Sequence, residues 1–168
     1  MKNNGKNFEN DFKNSFPEEG FIYRLRDSGS TYGGCKNNNL RFSVTNMCDY
    51  IAYYKKHLFC LELKSTLQCS LPNKNINKRQ IDKLLSANEK DGVHSFIIIN
   101  FSSKDLSKNE VFAIDIVKIN DYINSNIRKS IPIQWCKENG TLIQSYLKRT
   151  HFKYKIEEFL DKIVKENF

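Results

Sequence analysis

The chain has 168 residues, 39% of them apolar with 12 Phe and 8 Tyr among them, which is enough for one domain around a packed core. No run of about eighteen apolar residues occurs, so no membrane-spanning helix is expected, and the polar start MKNNGKNFEND predicts a cytoplasmic protein without a secretory leader. Lys and Arg number 27 against 19 Asp and Glu, and the net charge of +8 favours a polyanionic partner, most simply nucleic acid.

In chain order, residues 3–16 read as a helix, because Phe8, Phe12 and Phe16 recur every fourth position and form one apolar stripe. Pro17 and Gly20 end it. FIYRLRD (21–27) alternates like a strand, SGSTYGGCKNNN (28–39) has loop composition, and LRFSV (40–44) predicts a short strand. CDYIAYY (48–54) and LFCLELKST (58–66) flank the polar link KKH and read as a β-hairpin, although the turn lacks Gly or Asn. Ile81, Leu84 and Leu85 predict a helix over 77–90, stopped at Asp91-Gly92. VHSFIIINF (93–101) is apolar enough for a central strand, and EVFAIDI (110–116) is another strand. A helix is expected near 118–126. SIPIQWCKENG reads as a short helix with Pro132 in its first turn and Gly140 as the stop. A C-terminal helical segment (150–168) contains an amphipathic helix over 154–167. This order implies a single domain over 1–168, with a mixed sheet and helices packed on it.

The five Cys include no CxxC pair and the three His are scattered, so zinc spacing is absent and most of the thiols read as reduced core residues. The informative stretch is LELK. Phe59, Leu61 and Leu63 alternate with Cys60, Glu62 and Lys64, which places Glu62 and Lys64 on one face. Asp49 enters the neighbouring strand of the hairpin, about 5 Å away. Two converging carboxylates repel and attract a hard divalent cation, Mg²⁺ or Mn²⁺ as a substitute, with the carbonyl of Leu63 as a further oxygen ligand. Lys64 can then orient water and counter the charge of a phosphodiester. Glu9 lies at the edge of the helical stripe, where periodicity alone favours a solvated glutamate.

The spacing of Asp49 from ELK across the hairpin, followed by a helix and an apolar strand, resembles the PD-(D/E)xK nucleases of the restriction-endonuclease-like fold. More narrowly, GKNFE (5–9), CDY…LELKST, NKRQIDKL (77–84), HSFIIINF (94–101) and KSIPIQWCKENG (129–140) resemble the RecU-type Holliday-junction resolvases over about residues 4–142. The resemblance implies an α/β fold, a restriction-endonuclease-like mixed β-sheet flanked by α-helices. It implies Asp49, Glu62 and the Leu63 carbonyl as metal ligands, Lys64 as the catalytic lysine, Glu9 as a helix carboxylate near the metal and Gln80 as a glutamine close to the site. The motif's proline is absent, since the local sequence is TNMCDY, and the segment 28–47 is shorter than the family's junction-engaging stalk.

Expected phosphate contacts are Arg24, Arg26, Lys36, Arg41, Lys74, Lys78 and Arg79, and Tyr32 and Phe42 are candidate wedges at a branch point. The implied activity is Mg²⁺-dependent resolution of branched double-stranded DNA by a homodimer, alongside other recombination proteins and away from membranes. A restriction-type or repair endonuclease of the same fold and a non-cleaving DNA-binding module are the alternative readings.

Overall fold

A computed structural model describes residues 4–25 and 46–166. The chain forms α1 (Asn4–Lys13), β1 (Phe21–Arg24), β2 (Tyr50–Tyr54), β3 (His57–Thr66), β4 (Ser70–Pro72), a 3-10 turn (Asn73–Asn75), α2 (Lys78–Asn88), β5 (Val93–Ser102) and β6 (Asn109–Asp115). It continues through α3 (Ile116–Asn124), β7 (Ser130–Pro132), α4 (Ile133–Asn139), β8 (Thr141–Ile143), β9 (Ser145–Lys148), β10 (His151–Tyr154) and α5 (Ile156–Glu166). The expected strand at 40–44, the loop at 28–39, Arg26, Lys36, Arg41, Tyr32 and Phe42 lie outside the described residues.

A six-stranded sheet runs in the order β1-β2-β3-β5-β6-β8. Its pairs are antiparallel except β3 with β5, which are parallel and joined by a crossover through α2. This is the mixed sheet flanked by helices expected from the sequence. The sheet is covered on both faces. Phe59, Leu61 and Leu63 of β3 join Phe8 and Phe12 of α1 and Phe159 and Leu160 of α5 in one core. Cys60 of β3, Ile97 and Ile99 of β5, Ile81 and Leu84 of α2 and Ile116 and Ile119 of α3 form the other. Burial on both faces explains why β5 reads as a mostly apolar run.

The β2–β3 hairpin closes through Lys55 and Lys56, with φ of 45° and 70°. Two consecutive left-handed residues match the twist of a two-residue hairpin turn, for which Asn and Gly are the usual choices. Lys55 is held there by Asp161, 2.7 Å from its ammonium, and Asp161 also accepts from the Tyr54 hydroxyl at 2.9 Å. A contact from α5, remote in sequence, thus supports a turn whose own residues disfavour it.

Two expectations are corrected. Residues 151–154 are not helical: they form β10, paired with β9, and α5 begins at Ile156. Pro132 does not lie inside the first turn of α4; Ser130–Pro132 pairs with Ser70–Pro72 of β4, and Pro132 occupies the capping position before Ile133. Each of these short strands is stabilised by a partner strand and carries little periodic signal of its own.

Candidate active site

Glu62 sits in the middle of β3 with 2% of its surface exposed, on the face covered by α2. A carboxylate there is tolerated because both oxygens are engaged. The Lys64 ammonium lies 2.6 Å from Oε1. The Gln80 carboxamide donates to Oε2 at 3.2 Å. Gln80 reaches this point because α2 is capped by Asn77, whose side chain accepts from the Arg79 N–H at 2.9 Å, and packs Ile81 and Leu84 onto the sheet. The crossover that makes β3 and β5 parallel therefore also delivers Gln80 to Glu62.

Asp49 lies at a bend just before β2. Its backbone is clamped on both sides, with its N–H donating to the Leu61 carbonyl at 3.2 Å and its carbonyl accepting from the Leu25 N–H at 2.8 Å. Its carboxylate folds over β3 and accepts from the Leu63 N–H at 2.7 Å. Burial pushes the Glu62 carboxyl above the ordinary carboxylate range; Asp49 adds to the rise, while Lys64 and Gln80 oppose it. A buried carboxyl next to a second carboxylate is an arrangement that stability alone disfavours and a bound cation relieves.

Glu9 comes from α1, which packs on the opposite face of the sheet from Glu62. Its carboxylate lies 2.8 Å from the Arg24 guanidinium, and its backbone carbonyl accepts from the Tyr50 hydroxyl at 3.4 Å. Arg24, expected to hold phosphate, thus also serves α1. Lys74, Lys78 and Arg79 are exposed in the 3-10 turn and the first turn of α2, beside Gln80. The structure brings together Asp49, Glu62, Leu63, Lys64 and Gln80, and ties Glu9 to Arg24.

The oxygen donors suit a hard cation. Among the described residues no group of three or more His, Cys, Asp or Glu side chains converges, and Asp49 and Glu62 are the two carboxylates at this point. Two carboxylates suit a hard divalent cation that keeps part of its water shell. The free thiols Cys48, Cys60 and Cys136 are buried and Cys69 is exposed. Among the described residues, no helix is long and apolar enough to cross a membrane.

The chain is 26% identical over 185 residues to the SPbeta prophage-derived uncharacterized protein YotM of Bacillus subtilis (strain 168), covering 98% of this chain and 88% of that one. It is 34% identical over 90 residues to the Holliday junction resolvase RecU of Ureaplasma parvum serovar 3, covering 54% of this chain and 50% of the relative. It is 30% identical over 106 residues to the Holliday junction resolvase RecU of Lactococcus lactis subsp. cremoris, covering 62% of this chain and 47% of the relative. The matches thus span about half the length of these two resolvases. Among solved structures, Hjc, a Holliday junction resolvase of Archaeoglobus fulgidus, aligns at 10% identity and a TM-score of 0.45, over 74% of this chain and 83% of that one. A family model described as RecU, Recombination protein U, matches residues 32–157, a span that takes in Asp49, Glu62, Lys64 and Gln80 and leaves Glu9 outside it. With most of its length and its clustered acidic site inside that match, the chain belongs to the Recombination protein U family.

Proposed function

We propose that this protein is a metal-dependent DNA endonuclease that resolves four-way (Holliday) junctions by paired nicks. The observation that carries the reading is the meeting of Asp49, Glu62, Lys64 and Gln80 at one point of the sheet, from three separate stretches of chain. Support comes from the family, from the two relatives named as Holliday junction resolvases and from the net charge of +8, which suits a phosphate backbone.

Asp49, Glu62 and the Leu63 carbonyl would hold a divalent cation, Mg²⁺ with Mn²⁺ as a substitute, and Glu9 would act through water from the α1 side. When bound, such a cation supplies a Lewis acid and a water of lowered pKa at the scissile phosphate. The chain's own groups do the positioning. Gln80 fixes the orientation of Glu62 by holding Oε2. Lys64, with 22% of its side chain exposed, is anchored at Glu62 and can extend toward the phosphate to offset charge that develops in the transition state. Lys74, Lys78 and Arg79 offer phosphate contacts next to the site. Two-fold junctions call for two symmetric active sites, so the working form is a homodimer acting on cytoplasmic DNA with other recombination proteins.

The test is cleavage of a labelled four-way junction and a matched linear duplex with Mg²⁺, beside Glu62→Gln. Paired nicks confined to the junction and lost in the variant support the proposal. Equal cutting of both substrates assigns the chemistry to a restriction or repair target instead. Junction binding with no cutting makes the protein a binding module.

A further inference from the structure

The β9–β10 hairpin stands outside the main sheet and pairs only within itself among the described residues. Its root is at the catalytic end of the molecule. The Ser145 hydroxyl accepts from the Asn109 carboxamide at 2.8 Å, and Asn109 pairs with Ser102 at the end of β5. That is the end toward which β3 runs from Lys64, whose partner on β5 is Ile99. The hairpin then lies along α1. Asp11 holds the His151 ring at 2.8 Å and the Phe152 N–H at 2.9 Å, and the Lys153 ammonium caps the Asn14 carbonyl at 2.6 Å. Thr150 and Lys104 line one small cavity of about 100 Å³ with Asn7 of the same helix.

The tip is basic and exposed. Lys148, Arg149, Thr150 and His151 all face solvent, and Lys104 is exposed in the neighbouring β5–β6 loop. Arg149 has φ of 59°. A left-handed residue other than Gly is disfavoured by roughly 1–2 kcal/mol, so folding alone would favour Gly at this turn. Asp11 pairs with His151, and Asp105, one residue from Lys104, keeps its charge between the Ser103 and Ser107 hydroxyls. Among the described residues Lys148, Arg149 and Lys104 make no ion pair, and their chemistry complements phosphate.

We propose that Lys148 and Arg149, with Lys104 beside them, form a second duplex-DNA contact surface that grips the backbone of an arm leaving the catalytic site. This rests on the reading of the protein as a DNA enzyme. It adds a contact on the α1 side of the sheet, across from Lys78 and Arg79 of α2. Exposed Tyr146, two residues before Lys148 on β9 and so on the same face, gives this surface an apolar shoulder.

The experiment is fluorescence anisotropy with a labelled four-way junction, without divalent metal so that nothing is cut, over a series of salt concentrations. Four proteins join the wild type: the double variant Lys148→Glu/Arg149→Glu, Arg149→Gly, Lys104→Glu, and the double variant Lys162→Glu/Lys165→Glu on α5. Each lost phosphate contact lowers the slope of log K against log salt by about one. The hairpin double variant should lose at least about tenfold in affinity and about two units of slope, and Arg149→Gly about one. Arg149→Gly also suits the backbone, so its thermal unfolding should match or exceed wild type. Lys104→Glu should weaken binding, and the α5 pair should stay within about threefold of wild type. Hairpin variants that bind as wild type does, or an α5 pair that loses as much, overturn the proposal while leaving the nuclease reading intact. A wild type that binds neither junction nor duplex overturns both.

Discussion

The Lys64 ammonium lies 2.6 Å from Glu62 Oε1, two residues apart on one face of β3, and is the only charged group paired with that buried carboxylate among the described residues. The pair explains how a glutamate is kept in the middle of a strand that is otherwise core. Removing Lys64 leaves a buried charge with one amide partner. Lys64→Met should therefore destabilise the metal-free protein by about 1–3 kcal/mol. Because Oε1 is then free, calorimetric titration should show Mn²⁺ bound at least as tightly as by wild type. Cleavage should nevertheless fall by about 10²-fold or more. Loss of metal binding in this variant would instead make Lys64 part of the metal site's scaffold.

Glu62→Gln should stabilise the protein at neutral pH. Burial raises the Glu62 carboxyl above its unfolded value, so the folded chain holds this proton more tightly than the unfolded chain does. The stability this confers is complete below the ordinary carboxylate pKa and is lost as pH rises through the raised one. Thermal melts should show the variant above wild type near pH 7.5, with the gap closing toward about pH 4. Each kcal/mol should appear as roughly 2–4 °C. Added Mn²⁺ should raise the melting temperature of wild type and leave the variant unmoved.

The Lys55-Lys56 turn predicts a second gain. Lys56 is exposed at φ 70°, and Lys55 carries the Asp161 contact. Lys56→Gly removes backbone strain without touching that ion pair, and should stabilise by about 1 kcal/mol in urea unfolding. Lys55→Gly should gain less, because it releases Asp161.

Gly140 ends α4 where no side chain fits. A Cβ there would lie 2.2 Å from Ile114 Cδ1, 2.8 Å from the Cys136 carbonyl and 3.1 Å from the Ala113 carbonyl. Two of these neighbours are backbone and cannot turn aside. Gly140→Ala should cost about 1–3 kcal/mol, read as a lower urea midpoint with an unchanged m-value.

Where local periodicity carried the information, the residues alone were enough. The Phe8 and Phe12 stripe placed α1 on the sheet, and the alternation of LFCLELK put Glu62 and Lys64 on the face away from Phe59, Leu61 and Leu63. Side-chain direction follows from helix and strand repeats, so such patterns survive without knowledge of the partner. Asp49 and Glu62 were readable as a hairpin pair for the same reason.

The rest depends on which distant segments meet. Gln80 acquires its position only when α2 crosses the sheet to Glu62. His57 and His94, scattered in sequence, start two adjacent parallel strands and lie 2.8 Å apart, Nδ1 to Nε2. Glu9 finds Arg24 because β1 pairs along β2 under α1. β4 with β7, and β9 with β10, are three- and four-residue strands stabilised by their pairing. Segments that short show too few turns of any repeat to declare themselves. What assembles them is the free energy of partner strands and covered faces, which exists only once the chain has closed on itself.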